Sequence, residues 1–472
     1  MGIFKRKQID MTSGSIFKKM IAYVIPLIIA NLLQMAFNMA DTFVLGIFAD
    51  NGNVDVGAVS TTAPVVNMGL SLFIGLATGA NVMVARYIGA RQDERVKKVI
   101  GLSVFASLMA GAILAIAGIF GTRIFLTWLD VSSVHIEPAT RYLTIYLCGT
   151  PFIMLYNFCA NILRASGDTV RPMAYITIGG VINVVLNAIL VIFTPFDVEG
   201  VAIATVACNA FAGIACFLTL LKSKTFVKFE WKYFRIYKDE IVEIVKIGIP
   251  SGINSCLFAF SSMLISSSIN QLGVIFGDHI VTGSGYSNQF DNITYVCMNA
   301  VALASQAFVS QNLGAKNYQR VKQTLSVSLI LVTITGIVVG AVMVALVKPI
   351  ILAISGSELV ANSALEKSLW IGALYVLNGI MDTMSFYLRG LGKSMTGMIV
   401  TLVGTVLFRA IWIWFIFPLN KTTAMLYCVF PITWVITIII FVVILVVVLK
   451  NLRKQLEQDN LEKQIQPCAS QN

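Results

Sequence analysis

Four charged side chains, Asp41, Asp291, Asp382 and Arg409, sit inside long apolar runs of the sequence. A charge at membrane depth costs about 3 kcal/mol or more, so each is a candidate for chemistry rather than decoration. A carboxylate at Asp41 can take up a proton or help ligate a cation. Asn183 and Asn187 lie four residues apart, on one face of a helix, and Thr205 follows in the next apolar run. One carboxylate, two amides, a hydroxyl and the Val201 carbonyl would form the oxygen-rich nest that a hard cation such as Na⁺ prefers. The plainer reading of the two amides is interhelical hydrogen bonding. Further polar side chains at depth, Gln34, Asn67, Asn157, Tyr286, Gln289 and Asn292, are candidates to line a substrate path. The 29 Phe, 14 Tyr and 18 Met supply the flat and adaptable surfaces that suit apolar cations.

Other chemistries find little material. His135 and His279 are the only histidines, and they fall in outer connections of different halves. Eight cysteines are scattered, without a CxxC pair or a Cys/His cluster, so neither a structural metal nor a disulfide framework is expected. No phosphate-binding loop of the Walker type is present. The expectation is a protein that is not an enzyme and needs no cofactor.

These residues require elements that hold them in a membrane. Of 472 residues, 57% are hydrophobic and only 12% charged, about half the charge of an average soluble domain. A soluble multidomain chain is excluded. Stretches of about 20 apolar residues mark membrane-crossing helices, and twelve are readable: 16–44, 56–84, 96–121, 138–162, 172–194, 200–221, 242–269, 280–309, 324–347, 366–388, 395–417 and 424–449. The runs are long and do not alternate, so helices rather than barrel strands are predicted. The net charge of +11 is explained by position: 28 of the 34 Lys and Arg fall at the termini and in even-numbered connections, five in odd-numbered ones, and Arg409 within a span. That bias predicts a multi-pass plasma-membrane protein with both termini cytoplasmic, and nucleic acid need not be invoked. The first apolar stretch is too long for a signal peptide.

The chain also repeats itself. Tyr87-Ile88-Gly89-Ala90-Arg91 followed by Arg95-Val96-Lys97 returns, 225 residues later, as Asn312-Leu313-Gly314-Ala315-Lys316 followed by Arg320-Val321-Lys322. At the same offset Leu163-Arg164-Ala165-Ser166-Gly167 returns as Leu388-Arg389-Gly390-Leu391-Gly392. Gly89 and Gly314 suit tight turns, with the basic residues around them at the lipid headgroups. The predicted fold is therefore an all-α polytopic membrane protein, with twelve transmembrane helices in two parallel six-helix lobes related by a pseudo-twofold along the membrane normal. The expected divisions are 1–221 and 242–450 for the lobes, 222–241 for a basic linker and 451–472 for a polar tail.

Twelve spans in two sixes, a GA[RK] turn after spans two and eight and L-R-x-x-G after spans four and ten resemble the MATE (multidrug and toxic compound extrusion) transporters. The resemblance covers roughly 16–450. It implies lobes that alternate between inward-open and outward-open states, and antiport that exports amphiphilic, often cationic, organic compounds against Na⁺ or H⁺. It also implies that Asp41, Asn183, Asn187 and Thr205 form the cation-coupling site, with no metal site beyond it. Drug-like substrates, the coupling cation and the bilayer are the implied partners, and a monomer the expected state. The second half does not repeat the nest: Asp41 maps near Ser266, and Arg409 falls opposite Asn187, so a single coupling site is expected. Arg409 is predicted to pair with Asp382 or Asp291. The loop Arg86–Asp93 lacks the acidic and arginine order of the major facilitator carriers. A lipid-linked oligosaccharide flippase of related architecture is the alternative.

Overall fold

The computed structural model describes residues 8–49, 52–128 and 131–465. Lys5, Arg6 and Lys7 and the end of the polar tail lie outside the described residues. The amino-terminal half contains α1 (Ile16–Phe48), α2 (Gly52–Gly89), α3 (Asp93–Trp128), α4 (Ser133–Cys148), α5 (Thr150–Ala165), α6 (Val170–Phe193) and α7 (Val198–Leu221). The carboxy-terminal half contains α8 (Lys238–Phe276), α9 (His279–Gly314), α10 (Tyr318–Ser355), α11 (Glu358–Trp370), α12 (Tyr375–Gly390), α13 (Ser394–Thr401), α14 (Phe408–Ile411), α15 (Thr423–Tyr427) and α16 (Val429–Ile465). Two π-helical turns, Leu402–Leu407 and Trp412–Ile416, flank α14 and join it to α13 in one apolar stretch, Ser394–Leu419.

Ten helices are long and apolar enough to cross a membrane among the described residues, and eleven if α4 and α5 count as one span bent by 48°. The bend lies at Gly149-Thr150-Pro151. Pro151 opens α5, where its missing N–H is harmless, and a side chain at Gly149 would meet Val206 Cγ2 at 2.2 Å. The stretch expected as span ten, 366–388, takes in the end of α11 and most of α12, helices of 13 and 16 residues separated at Ile371–Leu374.

The chain divides into two compact units. Of the described residues, the first comprises those within 8–10, 21–88 and 92–256; the second comprises 11–20, 89–91 and 257–465. The first unit thus keeps the linker and the opening turns of α8. Its core runs from Ala77, Met83 and Tyr87 on α2 through Val99 and Leu102 on α3 to Phe158 and Leu163 on α5. The second unit is built around α9, which packs against α10, α11 and α12, with Tyr387, Trp434 and Phe441 among its buried aromatics.

Within the first unit α2 and α8 meet through glycines spaced four apart on each, Gly75 and Gly79 against Gly248 and Gly252. A Cβ on Gly75 would lie 2.5 Å from Gly248 O, and one on Gly79 2.4 Å from Ile244 O. Small residues at this spacing let helix backbones approach closely.

The sequence repeat is a repeat of turn geometry. Arg91 and Lys316 are the non-glycine residues with positive φ among the described residues (56° and 54°), and Gly167 and Gly392 take φ of 86° and 81°. Gln92 N donates to Tyr87 O and Asn317 N to Asn312 O, each at 3.0 Å; Asp168 N donates to Leu163 O and Lys393 N to Leu388 O, at 3.0 and 2.9 Å. These bonds close helix ends in the manner of a left-handed cap. The left-handed residue of the first motif is therefore Arg91 or Lys316, not the glycine two residues earlier. Gly89 is required for packing instead: a Cβ there would sit 1.8 Å from Gln311 O. Arg320 likewise does more than face headgroups. Its guanidinium donates to Met11 O (3.1 Å), Ser13 O (3.1 Å) and Gly14 O (2.9 Å), while its Nε donates to Asn312 Oδ1 (3.1 Å).

Candidate functional site

In the first unit α6 lies between α1 and α7, and its sequence explains why it can. A Cβ on Gly180 would fall 1.9 Å from the Phe37 ring of α1, and one on Gly179 2.8 Å from Cys208 O of α7. The glycine pair brings both neighbours close, and one turn further along α6 the amides of Asn183 and Asn187 occupy the same buried face.

Asp41 of α1 meets them there. Asn187 Nδ2 donates to Asp41 Oδ1. Asn183 lies beside both Asp41 and Thr205. With its amide turned to suit both, Nδ2 donates to Asp41 Oδ1 at 2.7 Å and Oδ1 accepts from Thr205 N at 3.3 Å. In the opposite orientation Nδ2 lies 3.5 Å from Thr205 Oγ1. The Thr205 hydroxyl donates to Val201 O at 2.9 Å, so that carbonyl is already engaged. Asn187 Oδ1 is buried and has no hydrogen-bond partner among the described residues. A buried acceptor left open costs about 1–3 kcal/mol, and a cation or a protonated group would satisfy it. The four residues proposed from sequence thus converge on one place, and α1, α6 and α7 position them.

Asp41 and Thr205 open onto a cavity of about 320 Å³. Its wall includes Asn38 and Thr42 from α1, Asn67 from α2, and Tyr142 and Tyr146 from α4. The two tyrosine rings stack with centroids 6.0 Å apart. Sequence reading missed this pair. Its spacing of four was the available signal, but that spacing is common in any helix. Among the described residues no group of three or more His, Cys, Asp and Glu could hold a metal ion.

The second unit arranges its charges differently from expectation. Arg409 pairs with neither Asp382 nor Asp291 among the described residues. Its Nη1 donates to Ser261 Oγ (3.2 Å), its Nε to Thr433 Oγ1 (3.3 Å), and its guanidinium lies 4.4 Å from the centre of the Phe430 ring. Hydroxyl dipoles and an aromatic face take the place of a counter-ion, because α12 and α9 present their acids elsewhere. Asp291 pairs with Lys367 at 3.6 Å. Lys367 is 2% exposed and also donates to Ser284 O (3.1 Å) and to Asn288 Oδ1. By its place in the sequence Lys367 is one of the five basic residues of the odd-numbered connections. Helix α11 carries it inward. Asp382 is buried without a hydrogen-bond or ion-pair partner among the described residues. Of the path candidates, Gln34, Asn67, Gln289 and Asn292 are exposed, and Tyr286 and Asn157 half-buried. Asn157 Nδ2 is turned back to Ile153 O at 2.9 Å.

Comparison with known proteins bears on the same helices. A family model described as MatE matches residues 26–189 and 250–415. The probable multidrug resistance protein YoeA of Bacillus subtilis is 27% identical over 342 residues, 71% of each chain. The multidrug export protein MepA of Staphylococcus haemolyticus is 25% identical over 391 residues, 82% of this chain and 81% of its own. Among solved structures, an outward-facing multidrug resistance MATE family transporter of the MOP superfamily superposes with a TM-score of 0.85 at 21% identity, covering 95% of this chain and 99% of that one. A MATE protein in a bent conformation gives 0.84 at 20% identity, covering 96% and 99%. The shared fold is all-α, with twelve helices in two six-helix lobes.

Proposed function

The chain belongs to the MatE family of multi-pass membrane transporters, and on that premise we propose that it is a secondary active multidrug exporter coupled to Na⁺ or H⁺ through Asp41. Its substrates are amphiphilic, drug-like and cationic organic compounds, and export of them confers resistance. Similarity to relatives named multidrug resistance and multidrug export proteins supports the substrate class. The convergence of Asn183, Asn187 and Thr205 on Asp41, which with Thr205 opens onto the cavity, carries the coupling assignment. Transport requires neither cofactor nor enzymatic chemistry. The relatives' names lend no support to the flippase alternative.

The nest works by differential affinity. A cation or proton satisfies Asp41 and Asn187 Oδ1 together, tightening α1 against α6 and α7. Drug binds better to the state in which that site is empty. Such linkage is reciprocal, so inward cation flow drives drug outward. The aromatic cavity wall and the methionines accommodate varied apolar cations. We take 1–221 and 242–450 as the functional lobes, 222–241 as the linker between them and 451–472 as the tail. The basic connections face the cytoplasm and the protein acts as a monomer.

The test is transport of a fluorescent organic cation by purified protein in liposomes, with Na⁺ and pH gradients imposed separately. Wild-type protein exports under at least one gradient, and Asp41→Asn loses at least tenfold of that rate. Full gradient-driven export by Asp41→Asn overturns the assignment.

A further inference from the structure

At one end of the first unit, where α3 begins and α7 ends, the chain between α7 and α8 folds back into an open cup of about 600 Å³. Lys222, Lys224 and Lys228 stand on its wall, with Lys97 of α3. Two acids share the wall. Glu230 is committed: its carboxylate meets Lys97 Nζ at 2.7 Å and Lys232 Nζ at 3.1 Å, and these two ammonium groups hold its carboxyl below the usual carboxylate range. Asp93 lies in the first turn of α3, where the helix N-terminus favours a negative charge. Lys222, Lys224 and Lys228 form no ion pair among the described residues, and Lys222 and Lys224 are exposed. The cup therefore presents three uncompensated cations around a space large enough for a phosphate with its substituents.

The rim is apolar in a way that free phosphate would not use. Phe226, on the cup wall, is 37% exposed and Trp231 68% exposed. Both emerge from a linker that is otherwise anchored, since Phe229 is buried and its ring meets Phe217, Trp231 and Phe234 edge-on. A rigid turn that shows lysines and aromatic rings side by side, at the ends of two membrane-crossing helices, matches the interface between headgroups and acyl chains. Basic clusters at that depth attract anionic lipid by about 1 kcal/mol for each Lys or Arg.

We propose that this cup is a binding site for the headgroup phosphate of an anionic phospholipid, held by Lys222, Lys224 and Lys228 with Phe226 and Trp231 in the interfacial layer. The site lies apart from the Asp41 cavity and does not depend on the transport assignment.

The test is native mass spectrometry of the full chain in detergent, titrated with dioctanoyl phosphatidylglycerol, dioctanoyl phosphatidylcholine or inorganic phosphate. Wild-type protein takes up the glycerol lipid at a concentration at least tenfold below the choline lipid, and equimolar inorganic phosphate does not displace it. K222Q/K224Q/K228Q raises the half-saturating concentration at least tenfold. K222R/K224R/K228R stays within twofold of wild type, as does K322Q/K393Q/K450Q, which removes three exposed lysines elsewhere. Equal losses in the two glutamine triples mean diffuse surface charge and overturn the site. Displacement by inorganic phosphate, or no preference between the two lipids, overturns it as well. Melting curves of all variants in the same detergent separate loss of binding from loss of fold.

Discussion

At the scale of single residues, Asn187 discriminates between the two readings of the nest. If its amide is interhelical glue, Asn187→Leu removes a net hydrogen bond and costs about 0.5–1.5 kcal/mol. If it is a cation ligand, its open Oδ1 is already a burden in the empty site, and an apolar replacement of similar size removes that burden together with the bond to Asp41 Oδ1, so the two losses offset and stability in the empty site changes little. The expected outcome is a nearly unchanged melting temperature in cation-free buffer, at least tenfold slower export, and loss of any Na⁺- or pH-dependent melting shift seen in wild type. A lower melting temperature with intact export would return Asn187 to the structural role. Arg409 yields a second prediction. Its charge leans on Phe430 rather than on an acid, and a desolvated cation–π contact is worth about 2 kcal/mol or more. Phe430→Leu should therefore destabilise by about that much in thermal unfolding, whereas Asp382→Asn should leave Arg409's contribution untouched. The nest was legible in the sequence because its logic is local: an acid in an apolar run, and two amides at helical spacing. Lys367 with Asp291, and the hydroxyls around Arg409, were not, because partner choice depends on how α9, α11 and α16 rotate against one another. Hydropathy says nothing about that rotation.

Among elements, glycine positions divide by what surrounds them. Gly79 and Gly248 face backbone across the α2–α8 crossing, and backbone has no rotamer with which to yield. Gly79→Val and Gly248→Val are each expected to cost about 1–3 kcal/mol, as overpacking does, visible as lower melting temperature in detergent. Gly285 of α9 is the contrasting case. Nothing lies within 4 Å of a Cβ built there, so Gly285→Ala should stabilise by about 0.4–1 kcal/mol through the unfolded chain. A gain in stability accompanied by slower export would mark that open space as part of the substrate path. The apolar runs revealed which elements exist but understated their length. Helices α2, α3, α8, α9 and α10 span 36 to 39 residues, roughly 55 Å at 1.5 Å per residue, against a hydrocarbon layer of about 30 Å. Their polar ends continue the helix beyond the part that hydropathy detects. The break at Ile371–Leu374 was hidden for the opposite reason, since Ile371-Gly372-Ala373-Leu374 is apolar enough to pass as mid-span.

For the molecule as a whole, the proposed orientation rests on the charge distribution, and the burial of one lysine bears on it. Five basic residues stood on the outer side by sequence. With Lys367 buried against Asp291, four remain to compete with the basic termini and connections. The repeat adds a second constraint. The closing turns at Arg91 and Lys316 share one geometry, as do those at Gly167 and Gly392, and the proposed orientation places both sets on the cytoplasmic side, which requires an even number of crossings between corresponding points. A half cannot be inverted without placing one set of basic turns on the wrong side, and orientation follows the Lys and Arg that flank the spans. Reporter fusions test this directly. Green fluorescent protein fused at the carboxy terminus should fluoresce and alkaline phosphatase fused there should be inactive. Alkaline phosphatase fused after His135 or after His279 should be active. The same pattern should hold after the linker lysines are neutralised in K222Q/K224Q/K228Q, because the other basic connections of both halves still vote for the same side. Active phosphatase at the carboxy terminus of wild type would reverse the assigned orientation and, with it, the direction of transport.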